Sequence, residues 1–433
     1  MFTSSRAYAH HVLLNWFSGE AYLEHVMDFS GTHLQAQDRR FAEALIHQVI
    51  LRQRMLEHAL GKYVSKKPKK PVYVLLLMGT CEILYMQVPD HAALHETVAL
   101  TGRIDARSRG FVNAVLRKVL HFRDTEWGGL QSDPRLAPGI RYGFPDWLIA
   151  RWIRQFGSET PELMAALNER PAKMARIVKR DSREEILGVL RQLEILEAES
   201  PYHPDFVSLR SWQPLLEHPL FTQGALIAQD VSAVFPVLLI AGDDPKRVAD
   251  VCCAPGGKLT ALRHYCPAGT EIRGFDISGE RLEDTRNTLH RLGITDLPLK
   301  IADAAGEKIP ASSHILADVP CSGFGVIRKR SDLRWRRRPE EMPQLLQLQK
   351  NILDNVSQYV NPGGLLVYST CTFDREENMG SVRDFLGRHR DFDIAPADPA
   401  RIPAELITPE GAVATFPHRH FCEGSFAIAL RKH

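Results

Sequence analysis

The chain contains no apolar run long enough to span a bilayer, no Cys-x-x-Cys pair, no internal repeat and no low-complexity tract. The first absence argues against a helical membrane protein. The second argues against structural zinc. Seven cysteines, at positions 81, 252, 253, 266, 321, 371 and 422 of 433, are too few, too scattered and odd in number for a disulfide scaffold. His418-Arg419-His420-Phe421-Cys422 comes nearest to a ligand cluster, but its spacing suits a strand or loop equally well, and no metal is expected. The first residues lack a basic segment followed by an apolar stretch, so a secretory signal is not expected. A reducing cytoplasm, where thiols stay free, is the expected compartment. Charge of one sign is also missing: 54 Lys and Arg against 52 Asp and Glu leave a net charge of +2. The basic residues are clustered, however, in Lys66-Lys67-Pro68-Lys69-Lys70, Arg328-Lys329-Arg330 and Arg334-Trp335-Arg336-Arg337-Arg338. Local patches of this kind attract phosphates.

A chain of this length carries two or three domains. Residues 1–125 read as all-α: Phe41, Leu45, Val49, Leu56 and Leu60 recur near the helical period, and 72–86 is apolar almost all round, as in a helix buried in a bundle. A turn-rich stretch with Gly128, Gly129, Pro134, Pro138 and Gly143 follows, then a further helical pattern, making 126–171 a helical linker. Residues 172–240 read as a small α+β module, with strands at 174–178 and 206–209 around a helix at 183–193. From 241 to 433 strands and helices alternate. Strands are expected at 248–252, 271–276, 299–302, 314–318 and 364–370, with helices at 258–265, 279–292 and 345–359. That order implies a parallel-type sheet covered on both faces.

Ligands of such sheets bind beyond the carboxyl ends of the strands. Asp250, Asp276, Asp303 and Asp318 each fall at one of those ends. The first strand runs into Asp250-Val251-Cys252-Cys253-Ala254-Pro255-Gly256-Gly257-Lys258. Two glycines let a backbone approach a ligand closely. The turn is neither Gly-x-Gly-x-x-Gly nor a Walker loop, so pyrophosphate is less suited to it than S-adenosylmethionine, which has no phosphate. Asp276 is placed to accept hydrogen bonds from ribose hydroxyls.

Two further tripeptides, Pro320-Cys321-Ser322 and Thr370-Cys371-Thr372, each follow an expected strand. Paired thiols beside a nucleoside-cofactor loop suit methyl transfer to cytosine C5. That carbon is a poor nucleophile until a thiolate adds at C6. One thiol suffices for addition and a second can assist elimination. Residue types alone leave open which cysteine attacks. Asp318, if its carboxyl were protonated through burial, could donate to N3 as charge builds there.

These motifs resemble the bacterial Sun/Fmu-type 16S rRNA cytosine-C5 methyltransferases over nearly the whole chain. The family's Asp-x-Cys-Ala-Ala-Pro-Gly-Gly-Lys-Thr appears with Cys253 in place of an alanine and Leu259 in place of the threonine. Asp-Ala-Pro-Cys-Ser-Gly appears as residues 318–323, Ser-Thr-Cys-Thr is intact at 369–372, and Glu376-Glu377-Asn378 trails it. Residues 323–332 resemble the family's Gly-Val-Ile-Arg segment. The resemblance implies Cys371 as nucleophile and Cys321 as the thiol that helps release product, with Asp318 catalytic. For S-adenosylmethionine it implies Cys252, Cys253, Ala254, Pro255, Gly256, Gly257, Lys258, Asp276, Arg281, Asp303 and Asp318. Asp38-Arg39-Arg40-Phe41 and 110–117 (Gly-Phe-Val-Asn-Ala-Val-Leu-Arg) are similar to a NusB-type RNA-binding domain. The implied fold is a Rossmann-like methyltransferase domain preceded by a NusB-like all-α domain and the α+β module. The implied partner is 16S rRNA, naked or partly assembled, with a monomeric enzyme and no obligatory protein partner. Arg328 to Arg338, with Trp335 as a stacking platform, are expected to form part of the RNA-facing wall. A small-molecule methyltransferase would have no use for the two thiols, and a non-catalytic assembly factor would not need Cys371, Cys321 and Asp318 together.

Overall fold

The computed structural model describes every residue except 1, 3, 20, 21, 31 and 134, so the turn expected at Pro134 lies outside the described residues. The chain forms two compact units. One comprises residues 1–168 with 330–339, the other 169–329 with 340–433. No helix among the described residues is long and apolar enough to cross a membrane.

The first unit is all helical. Its central helix, Lys70–Tyr85, is buried on nearly every side. Gly79 lies where a Cβ would come 2.8 Å from Leu116 Cδ1, so it is the close approach of helix Arg109–Thr125 that requires glycine there. That second helix buries Val112, Val115, Leu116, Val119 and Phe122, one face at helical spacing. Glu82, fully buried on the central helix, is met by Arg6 Nη2 at 2.6 Å. The stretch read as a turn-rich linker contains the short helices Trp127–Ser132 and Pro138–Tyr142.

Segment 330–339 belongs to this helical unit, and it corrects one expectation. Arg334 is fully buried, its guanidinium 4.1 Å from the Phe144 ring centre, with Nη1 donating to Asn168 Oδ1 at 2.9 Å. Burial lowers its pKa to about 9. The Trp335 indole N–H donates to the Ile50 carbonyl at 2.8 Å, and Arg336 donates to the Gly19 and Trp16 carbonyls. These side chains bind the segment to the unit's own interior, so Trp335 is no free stacking platform. A sequence rich in arginine reads as solvated, whereas the aliphatic stems and planar guanidinium of arginine can pack.

The second unit begins with a four-stranded antiparallel sheet. Its strands are β1 (Lys173–Ile177), β2 (Leu196–Glu199), β3 (Phe206–Leu209) and β4 (Leu226–Ala228), in the order β2-β3-β1-β4. Helix Arg183–Gln192 buries Ile186, Leu187 and Leu190 against it. β2 and β4 escape sequence reading because β2 is an exposed edge strand of sequence Leu-Glu-Ala-Glu and β4 has only three residues.

The larger sheet contains β5 (Arg247–Asp250), β6 (Glu271–Asp276), β7 (Leu299–Ile301), β8 (Ser312–Asp318), β9 (Val360–Thr370), β10 (Phe392–Ala395), β11 (Val413–Thr415) and β12 (Ser425–Lys432). Its order is β10-β12-β9-β8-β5-β6-β7, with β11 also paired to β12. β5 to β9 pair in parallel, while β12 is antiparallel to β9, β10 and β11. The sheet is therefore mixed and mostly parallel. Its antiparallel end follows from the chain returning through β12 after the last crossover. Helices Gly257–Tyr265 and Gly279–Arg291 cover one face, and Met342–Val356 and Ser381–Arg388 the other. The chain winds outward from β5 through β6 to β7, then restarts beside β5 with β8. The cleft between β5 and β8 is the switch point at which such sheets bind ligands.

Candidate active site

Six of the residues singled out from sequence meet at that cleft: Asp250, Gly256, Lys258, Asp318, Cys321 and Cys371. β5 ends in Asp250, which is 0% exposed. Burial, and secondarily the charge of Asp318, raises its pKa to about 8. Gly256, at φ +96°, turns the chain into helix Gly257–Tyr265, and a Cβ there would meet Thr285 Cγ2 at 2.9 Å. Lys258 on the first turn reaches across to β8, where its Nζ donates to Asp318 Oδ2 at 2.7 Å. The other oxygen of Asp318 accepts from Ser369 Oγ at 3.0 Å. Asp318 thus stands as an acceptor on both sides. Burial would lower the Lys258 pKa, but the adjacent Asp318 carboxylate carries it above the usual ammonium value.

The carboxyl ends of β8 and β9 bring the two thiols to 3.2 Å, Cys321 Sγ to Cys371 Sγ. Cys321 is buried and Cys371 half-buried, lining a cavity of about 150 Å³ with Lys258, Ser369 and Thr370. A hydrogen bond from Cys321 is the main influence lowering the Cys371 pKa, assisted by the Lys258 ammonium, and it outweighs burial. The same hydrogen bond, with burial, raises Cys321. Cys252 and Cys253 are both raised, first by burial and then by neighbouring carboxylates. Of these four thiols, Cys371 is the one whose pKa is lowered, which favours its thiolate.

The thiol loops are braced by a buried polar network that sequence reading did not find. Glu377 Oε2 accepts from the Ser322 N–H at 2.8 Å and from Gln349 Nε2 at 2.9 Å, while Gln349 Nε2 also donates to the Pro320 carbonyl. Tyr368 donates to the Glu377 carbonyl, and Asn378 bridges Thr370 and Thr372. Glu377 and Asn378 were noted only as part of a motif, and Gln349 carried no signal beyond helical periodicity.

Gly325 provides the closest approach. Its N–H donates to the Cys371 carbonyl at 3.0 Å, and a Cβ would come 1.9 Å from the Gly424 carbonyl oxygen and 2.7 Å from that of Cys371. Replacing it by alanine has to displace the backbone that holds Cys371. Gly325→Ala is expected to cost about 1–3 kcal/mol, measurable by thermal unfolding, and to remove the reactivity of Cys371 toward thiol reagents.

Asp276, at the end of β6, accepts from the Ala254 N–H at 3.1 Å and the Ser278 N–H at 3.0 Å. Arg281 Nη2 donates to the Ala254 carbonyl at 2.5 Å, its other nitrogen 3.6 Å from Asp276. Arg281 and Asp276 therefore clamp the loop from both sides. Asp303 follows β7 and accepts from the Ala305 N–H at 2.9 Å. Ile277 and Ile301, on the same edge, are 65% and 57% exposed. Neither was singled out from sequence, because an isolated isoleucine in a strand reads as core. A nucleoside cofactor fits this edge: close backbone approach, carboxylates at successive strand ends and exposed apolar side chains for a base.

Fold and site together define a Rossmann-like methyltransferase. Residues 237–431 match the model of the 16S rRNA methyltransferase RsmB/F family, 3–121 that of the NusB family, and 144–215 that of the RsmF/B-like ferredoxin-like domain. Ribosomal RNA small subunit methyltransferase B of Salmonella agona is 30% identical over 389 residues, 87% of this chain and 88% of that protein. Among solved structures, PH0851 matches with a TM-score of 0.78 at 22% identity over the whole of both chains. NSun6 from Pyrococcus horikoshii, solved with SFG, matches with a TM-score of 0.57 at 19% identity over 67% of this chain and 98% of that one. The chain belongs to the RsmB/F family of 16S rRNA methyltransferases.

Proposed function

We propose that this chain methylates C5 of a cytidine in 16S rRNA, with Cys371 as covalent nucleophile and S-adenosylmethionine as methyl donor. The observation that carries the reading is the thiol pair, 3.2 Å apart, with Lys258 stationed between the cofactor loop and Asp318. Cys252, Cys253, Ala254, Pro255, Gly256, Gly257 and Lys258 with Asp276, Arg281, Asp303 and Asp318 would hold the donor, which would supply an electrophilic methyl group. The thiolate of Cys371 adds to C6, and the electron pair displaced onto C5 makes that carbon nucleophilic. The Lys258–Asp318 pair faces the reacting ring and balances the charge that builds on it. After transfer the C5 proton passes to solvent water, the C5–H electron pair re-forms the C5–C6 double bond and the Cys371 thiolate is expelled. Cys321 is placed to keep that leaving thiolate stabilised by its hydrogen bond.

The remaining regions supply the RNA. Residues 1–125 serve as the rRNA-binding domain, 126–171 as a linker, 172–240 as the α+β module and 241–433 as the catalytic domain. RNA enzymes of this type act on unpaired or extruded bases, because a stacked ring denies a thiol access to C6. Bisulfite sequencing of 16S rRNA from cells with and without the gene tests the reading. At least one protected cytidine is expected to become convertible when the gene is removed. An unchanged pattern contradicts it.

A further inference from the structure

The cavity beside Cys371 has a second wall that the methyl-transfer steps do not use. Glu423, just before β12, is 1% exposed and lines this cavity, yet neither of its carboxylate oxygens accepts a hydrogen bond. Arg328 Nη2 stands 3.3 Å and Lys329 Nζ 4.0 Å from Oε1, whereas no donor reaches Oε2. Asp230, on the same wall, is already engaged. Its Oδ1 accepts from the backbone N–H groups of Ser232 at 3.0 Å and Glu423 at 3.2 Å, and Lys329 lies 3.5 Å from Oδ2. Asp230 therefore fixes the backbone on which Glu423 stands, and Glu423 holds the spare acceptor capacity.

A buried acceptor left without a donor is unfavourable. Burial pushes the Glu423 carboxyl up to about 7, against the lowering pull of Lys329 and Arg328. A donor on a bound ligand would relieve both penalties. Cys371 and Glu423 line one cavity of about 150 Å³, so a ring held for attack at C6 presents its other atoms to this wall. Resting on the cytidine reading above, we propose that Glu423 distinguishes cytidine from uridine by accepting a hydrogen bond from the exocyclic amino group at C4. Uridine presents a carbonyl oxygen at that position, which a carboxylate repels. Sites that hydrogen-bond a substrate N–H reject analogues lacking it by about 10⁴- to 10⁵-fold.

The test uses the full chain with S-adenosylmethionine and 16S transcripts containing 5-fluorocytidine or 5-fluorouridine. Fluorine at C5 cannot leave as a cation, so the covalent complex is trapped and can be counted on a denaturing gel. The wild type is expected to form adducts with fluorocytidine RNA and essentially none with fluorouridine RNA. Glu423→Gln, whose amide N–H can donate to the uridine carbonyl, should raise the fluorouridine-to-fluorocytidine ratio by at least about 10²-fold. Glu423→Asp keeps the charge but falls short of the base. It should slow fluorocytidine trapping without any gain on fluorouridine. An unchanged ratio in Glu423→Gln, or equal loss on both RNAs in both variants, overturns the proposal. Absence of any wild-type adduct would instead remove the covalent reading on which it rests.

Discussion

Cys371→Ala should leave no detectable methylation of 16S rRNA and no covalent complex, whereas Cys321→Ala should accumulate a protein–RNA complex that survives denaturant. The asymmetry follows from the unequal environments of two thiols only 3.2 Å apart. Cys371 is half-buried, lines the cavity, and is held toward thiolate by the hydrogen bond from Cys321 and by Lys258. Removing it removes the addition step, and loss of a nucleophile costs up to about 10⁶-fold. Cys321 is buried and its pKa is raised, which suits it to donate a hydrogen bond rather than to attack. Without it, Cys371 can still add, but expulsion of its thiolate loses a stabilising partner and the adduct persists. Gel shift under denaturing conditions distinguishes the variants, and adducts in Cys371→Ala alone would reverse the assignment.

The second large effect is expected at Lys258. Its ammonium is 2.7 Å from Asp318 and lowers the Cys371 pKa, opposing the Asp318 charge. In Lys258→Met the methylene stem is kept and the charge is lost. Asp318 then faces the thiol uncompensated, so the Cys371 pKa rises. A thiolate is present above its pKa and lost below it, so the acid limb of the rate profile must move to higher pH. Single-turnover methylation at saturating cofactor should fall about 10²- to 10⁴-fold at neutral pH and recover partly as pH is raised. A uniform loss with no shift in the acid limb would assign Lys258 a binding role alone.

Much of this site is legible in the sequence because its parts lie within short motifs. Helices separate β5, β6 and β7 and then β8 and β9, the carboxyl ends of β5, β6 and β8 carry Asp250, Asp276 and Asp318, and the glycine turn announces itself. What the sequence does not reveal depends on partners far apart in the chain. Lys258 meets Asp318 across 60 positions, and Asp230 meets Glu423 across 193. The Gln349–Glu377–Tyr368 network is invisible for the same reason, since Gln349 and Tyr368 read as ordinary helical and strand residues and the motif holding Glu377 does not name its partners. β12 lies between β9 and β10, a placement fixed by tertiary pairing rather than local pattern. Trp335 shows the opposite failure. An aromatic residue among arginines suggests a nucleic-acid surface, yet its indole N–H is bound to Ile50 and its ring packs against the helical core.

The most direct test of the central claim is peptide mapping of the complex formed by Cys321→Ala with 16S rRNA. After nuclease and trypsin digestion, mass spectrometry should place a nucleotide on the peptide of residues 351–375, attached at its single cysteine, Cys371. A nucleotide on any other residue, or a complex that dissociates in denaturant, would contradict addition of Cys371 to the base.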